Sequence, residues 1–155
     1  MKYTVLFLAA IYICLFSSKV KADVEITQTL NFGIVAVLDN SSVHTYTIDE
    51  SGNFSISGGF AIIAPGNPGA IRLSNYPGNI EVFVNGVVIT AVLNPGQISQ
   101  EYFVFTSVNV PPTVRTSSLG EEEFTFGGTI QTSGSGSIQF VDAQYAGQLR
   151  IDLNY

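Results

Sequence analysis

The sequence predicts an all-β fold, and three observations carry that prediction. Val, Ile, Phe, Tyr and Thr recur throughout residues 23–155, while Gly, Pro, Asn and Ser interrupt them every few residues. Several segments alternate apolar and polar residues with the two-residue period of a strand. Nothing in the same stretch reads as a long helix. Short strands separated by frequent turn residues describe a sandwich or a barrel of antiparallel strands.

The first 22 residues are read as an export signal. Lys2 supplies a positive charge, residues 4–16 are apolar and uncharged, and small residues follow up to Ala22. The apolar run is shorter than the roughly 20 residues that span a bilayer, which favours a cleaved signal over an anchor helix. Ile11, Tyr12 and Ile13 before Cys14 do not suit a lipoprotein site. Cleavage after Ala22 leaves one domain, residues 23–155, long enough to bury a core. The expected location is the periplasm or the bacterial cell surface, with no membrane insertion after cleavage.

The strands follow in order. Val24, Ile26, Leu30 and Phe32 fall on one face of the first segment, interrupted by Gln28. Ile80, Val82 and Val84 alternate with Glu81 and Phe83. Residues 102–108 are apolar on both faces, which suits a central strand. Phe124, Phe126 and Ile130 alternate with Thr125, Gly127 and Thr129. Leu149, Ile151, Leu153 and Tyr155 share one face of the last segment, with Gln148, Arg150, Asp152 and Asn154 on the other. Ser51-Gly52-Asn53, Pro65-Gly66-Asn67, Pro77-Gly78-Asn79 and Asn94-Pro95-Gly96 are turn sequences. Asn85-Gly86 predicts a tight hairpin between residues 80–84 and 87–93. Residues 133–137 (SGSGS) read as a flexible loop tip, and Pro111-Pro112 as a loop or sheet edge.

Charge and missing groups limit the chemistry. With the signal removed, three basic residues (Arg72, Arg115, Arg150) face all twelve acidic ones, a net charge of −9. Such a chain repels nucleic acid and anionic lipid. Cys14 is the only cysteine, so the mature chain has no disulfide and no thiolate metal site. A serine nucleophile needs a base, and His44 is the one imidazole. It is read as an exposed structural residue. Glu121-Glu122-Glu123 reads as a solvated loop and not as the opposed carboxylates of a glycosidase. Asp49, Glu50, Ser51 and Asn53 offer oxygen ligands for calcium, but not at EF-hand spacing. No metal, no cofactor and no catalytic residue is expected. Asn40-Ser41-Ser42 and Asn53-Phe54-Ser55 match the glycosylation sequon, which matters only in a eukaryotic secretory pathway.

Leu30-Asn31-Phe32-Gly33, Gly127-Gly128-Thr129 and the terminal run from Tyr145-Ala146-Gly147 to Asn154-Tyr155 resemble the bacterial DUF4402 family. Residues 49–53, Gly58-Gly59-Phe60 and residues 66–73 follow its pattern more loosely. The family is similar to spore coat protein U and to archaic chaperone–usher pilus subunits. The resemblance implies an immunoglobulin-like β-sandwich, a non-catalytic structural role at the cell surface, and partners that are copies of the chain or a periplasmic chaperone, engaged by strand addition. In that reading Val24, Ile26, Leu30 and Phe32 form a docking strand, and Leu149, Ile151, Leu153 and Tyr155 a terminal assembly strand. Only seven residues, 23–29, precede Leu30. The segment is therefore either the first strand of a complete sandwich or the donor strand for a neighbour. A monomeric adhesin or glycan-binding module is the alternative, with Tyr76 and Tyr102 as candidate contact residues.

Overall fold

The computed structural model describes residues 21–90, 92–93 and 101–155. Most of the expected signal segment and the Asn94-Pro95-Gly96 turn lie outside the described residues. Among those described there is no helix, and twelve strands run in the order β1 (Asp23–Gln28), β2 (Ile34–Val37), β3 (Thr45–Ile48), β4 (Phe54–Ile56), β5 (Phe60–Ala64), β6 (Gly69–Ser74), β7 (Glu81–Val88), β8 (Val92–Leu93), β9 (Phe103–Asn109), β10 (Thr113–Arg115), β11 (Glu122–Thr132) and β12 (Leu149–Asn154). Every pairing is antiparallel. The fold is an all-β sandwich, as the alternation predicts.

One large sheet runs β1-β6-β11-β3-β4, with β9 also paired to β11 and β8 to β9. Its organiser is β11, the longest strand. The first half of β11 pairs with β6, from Glu122 opposite Leu73 to Phe126 opposite Gly69. Its second half pairs with both β3 and β9. Against this sheet pack two small ones, β10-β7-β12 and β2-β5. Each has its own apolar cluster. Ile71, Leu73, Phe124 and Phe126 of the large sheet meet Val82 and Val84 of β7, with Ile151 and Leu153 of β12 alongside. Tyr46, Ile48, Phe103, Phe105 and Ile130 meet Phe60 of β5 and Val35 and Val37 of β2. Leu30, Val108 and Leu149 touch both clusters and join them.

Three expectations change. Asn85-Gly86 is not a hairpin: β7 runs unbroken through it, with Asn85 opposite Asp152 and Gly86 opposite Ile151. The glycine serves packing across the sandwich, because a Cβ there would lie 2.7 Å from Cβ of Val108 on β9. The glutamate run is not wholly a loop, since Glu122 and Glu123 begin β11 and Glu123 pairs with Arg72 at 3.2 Å. Val24, Ile26, Leu30 and Phe32 do not share one buried face. The β1 strand pairs with β6 at the sheet edge with all six residues exposed, Val24 by 46% and Ile26 by 65%. A register shift after Ile26 and the end of the strand at Gln28 let the chain turn inward, so only Leu30 and Phe32 reach the interior.

Candidate functional site

The two small sheets leave a groove between them. Its floor is Phe103, Phe105 and Ile130 of the large sheet; one wall is residues 29–37, including the whole of β2; the other is the strandless segment after Ser137 up to Leu149. The cavity measures about 1080 Å³. The β2 strand pairs with β5 along one edge and with no described strand along the other, and β5 adds only Ile63 to the lining. An unpaired edge beside an apolar floor is the arrangement that accepts an added strand. Ile34, Ile63 and Ile138 stand exposed around the mouth.

The wall preceding β2 is held by a short crossing. Asn31 and Asn67 exchange backbone hydrogen bonds at 3.0 and 2.7 Å, and the Asn31 side-chain oxygen accepts from Gly33 N–H at 2.8 Å. Gly33 has φ +79°, and a methyl group there would overlap the Ala64 carbonyl oxygen, so both conformation and space require glycine. Phe32 then drops edge-on against Tyr46 and Phe105, at centroid distances of 5.6 and 6.1 Å.

Residues 23–155 match the model of a family described as "Domain of unknown function (DUF4402)". The chain belongs to the DUF4402 family. No curated protein and no solved structure matches it. In this DUF4402 chain Gly33 and Gly127 are places where two backbones pass too closely for a side chain, while Gly128 lies under the Phe105 ring.

Of the expected assembly residues, Leu149, Ile151 and Leu153 lie on β12, an edge strand of its sheet, and are half-buried. Tyr155 beyond them is 66% exposed and stands edge-on to Tyr76 at 5.0 Å. Tyr76 is itself buried, contrary to a role as an exposed contact residue, whereas Tyr102 is 36% exposed.

His44 is largely buried instead of exposed, with 13% of its side chain accessible. Its Nε2 faces both Asp39 Oδ2, at 3.2 Å, and Ser42 Oγ, at 3.4 Å, while Nδ1 faces the Ser57 carbonyl at 3.3 Å. A proton relay needs serine and carboxylate on opposite ring nitrogens. Here they share one, so these three residues cannot pass a proton from serine to carboxylate through the ring. Asp49 closes the β3–β4 hairpin: its carboxylate accepts from the backbone N–H groups of Ser51 and Asn53 and from the Asn53 amide, at 2.8–3.1 Å. Those bonds direct it into its own loop.

A further cluster is invisible to motif reading. Asn40 is fully buried. Its Nδ2 lies 2.6 Å from the Ser137 carbonyl, 3.0 Å from Ser133 Oγ, 3.2 Å from Ser135 Oγ and 3.4 Å from Glu101 Oε2; its Oδ1 accepts from Gly134 N–H at 2.8 Å. Glu101 accepts from the Ser133 and Ser135 hydroxyls at 2.5 and 2.6 Å. The SGSGS segment is thus pinned. The available signal is the Ser-Gly alternation: Gly134 and Gly136 take left-handed φ values of +71° and +87° that turn the chain, so that Ser133, Ser135 and the Ser137 carbonyl converge on Asn40. Burial also leaves no room for a glycan on the Asn40 sequon in the folded chain.

These bonds lower three carboxyl pKa values: Glu101 through the Ser133 hydroxyl and then Ser135, Asp39 through Ser41 N–H and then its hydroxyl, and Asp49 through the Asn53 amide and N–H. A depressed folded pKa stabilises above the unfolded carboxyl range, about 4, and that contribution disappears as pH falls through the folded value. The urea midpoint is therefore expected to stay level from about pH 7 to 5 and to drop below about pH 4. Glu101→Gln should flatten part of the drop, and an identical acid limb in that variant would remove Glu101 from the account.

Proposed function

We propose that this chain is a non-catalytic structural protein of the bacterial cell surface, exported by its N-terminal signal and assembled by strand addition. It is similar in this reading to spore coat protein U and archaic chaperone–usher pilus subunits, with their immunoglobulin-like sandwiches. The observation that carries the proposal is the apolar groove beside the unpaired edge of β2. The donor is β1 of a second copy, since all six of its residues are exposed at the edge of their own sheet.

The energetics define the kind of assembly. Leu30 and Phe32 already belong to their own core, so only Val24 and Ile26 remain to be buried in a neighbour. Moving them from half-exposed positions into the groove contributes roughly 2–3 kcal/mol, while the ladder to β6 is exchanged for one to β2. Association costs about 4 kcal/mol or more in lost freedom. Strand exchange therefore needs subunits that are concentrated or delivered, the role a periplasmic chaperone or an assembly site fills.

A thiol pair tests this. In a chain carrying Cys14→Ser, Ile26→Cys and Ile34→Cys provide the only two thiols, both at exposed positions. Concentrated protein under mild oxidation is expected to give a ladder of disulfide-linked multimers on a non-reducing gel. The control pair Ile26→Cys with Ile56→Cys, which targets the β4 edge, should stay monomeric. Monomers in both cases, or equal ladders, would reject the groove as the acceptor.

A further inference from the structure

Residues 133–148 connect β11 to β12. We infer that they form a displaceable plug that walls the groove and covers part of its floor in the free subunit, and that leaves when a donor strand pairs with β2. This inference rests on the assembly reading above and concerns the regulation of the same site.

The segment lies in the groove through two aromatic rings. Phe140 stacks on Phe103 at 4.7 Å, and Tyr145 meets the same ring edge-on at 4.9 Å. Phe103 is floor, so these rings cover apolar surface that an inserted strand would use. The backbone, by contrast, is weakly held. Among the described residues, nothing between Ser137 and Gln148 joins a strand ladder. The hydrogen bonds there stay inside the segment: Phe140 N–H to Ile138 C=O, Gln139 N–H to Ser137 Oγ, and the Tyr145 hydroxyl with the Val141 N–H and C=O. The ends are fixed. The Asn40–Glu101 cluster grips residues 133–137, and the Gln148 carbonyl accepts from both Ile89 and Thr90 N–H. A segment tied at both ends, apolar on its inner side and without a ladder can swing out as a unit and return. Side-chain burial holds it, and a strand that brings both side chains and a backbone ladder outcompetes it.

The chain has no tryptophan, so Phe140→Trp places a single emitter on the plug. The probe is a synthetic peptide of residues 23–32, with binding followed independently by the anisotropy of a label on the peptide. Binding is expected to shift the tryptophan emission to the red as the ring moves into water. Tyr145→Ala, which removes one of the two rings packed on Phe103, should tighten peptide binding about threefold to tenfold. Tyr145→Phe, which keeps the ring and loses only the Val141 bonds, should give a smaller gain and guards against a folding defect in the alanine variant. Binding without an emission change, and with equal affinity in all variants, overturns the plug and leaves the groove as acceptor intact. Failure of the peptide to bind any variant, Tyr145→Ala included, overturns the assembly reading and the plug with it.

Discussion

Asn40→Ala is expected to lower the unfolding free energy by about 2–4 kcal/mol, seen as a fall in the urea midpoint at unchanged slope. The amide has two protons and one carbonyl oxygen, and all are used in a fully buried site. Alanine removes the donors that satisfy the Ser137 carbonyl and Ser133 hydroxyl and the acceptor for Gly134 N–H. Stranded buried groups lose about 1–3 kcal/mol each, offset in part because Glu101 and Ser135 reach water. Asn40→Asp should be worse than alanine despite its shape. It turns a donor into a second carboxylate facing Glu101, and like charges in a poorly hydrated place repel strongly. If aspartate were tolerated as well as alanine, the cluster would be wetter than its burial indicates. Typical domains hold about 5–15 kcal/mol in all, so either change removes a large share.

Gly127→Ala is expected to cost about 3 kcal/mol or more, enough to leave the protein insoluble or its midpoint sharply reduced. Gly127 sits in β11 where that strand passes β3, opposite Asn109 of β9. A methyl group there would overlap the Ile48 carbonyl oxygen and stand 2.7 Å from the carbonyl carbons of Ile48 and Asp49. The obstacle is backbone fixed by ladders on both sides, so it cannot turn aside as a side chain would. Gly136→Ala is the graded comparison. Nothing lies within 4 Å of its would-be Cβ, and only the left-handed φ of +87° opposes the change, a penalty of about 1–2 kcal/mol. Equal losses at the two positions would mean that β11 yields where the sheet pairings say it is rigid.

The strands themselves were legible because alternation reports directly which side faces a core. Val82 and Val84 are buried and Phe83 is 57% exposed, as the pattern of residues 80–84 implies. Residues 102–108, apolar on both faces, overlap β9, which has neighbours on both edges. Pro111-Pro112 lies between strands. What failed was inference from a residue type with two uses. Glycine marks either a turn or a close approach, and at Gly86 the neighbour that decides between them, Val108, is far away in the chain. The same limit applies to β1: alternation states that Val24 and Ile26 share a face, but not that both faces of this edge strand lie exposed. The groove was not legible at all, because it is bounded by five separated stretches of chain. The pinning of residues 133–137 was hidden for a related reason: its partners, Asn40 and Glu101, carry no local signal.

The contact of Tyr155 with Tyr76, two residues beyond the Ser74 that Asp23 faces, brings the two ends of the domain close together. A pull applied between Asp23 and Tyr155 then acts crosswise to the strands and does not load them lengthwise. Tension in that geometry peels β1 from β6 one backbone bond at a time, beginning where Asp23 faces Ser74. The domain is built to give way gently when tugged by its termini, and any filament it belongs to must carry its load by another route.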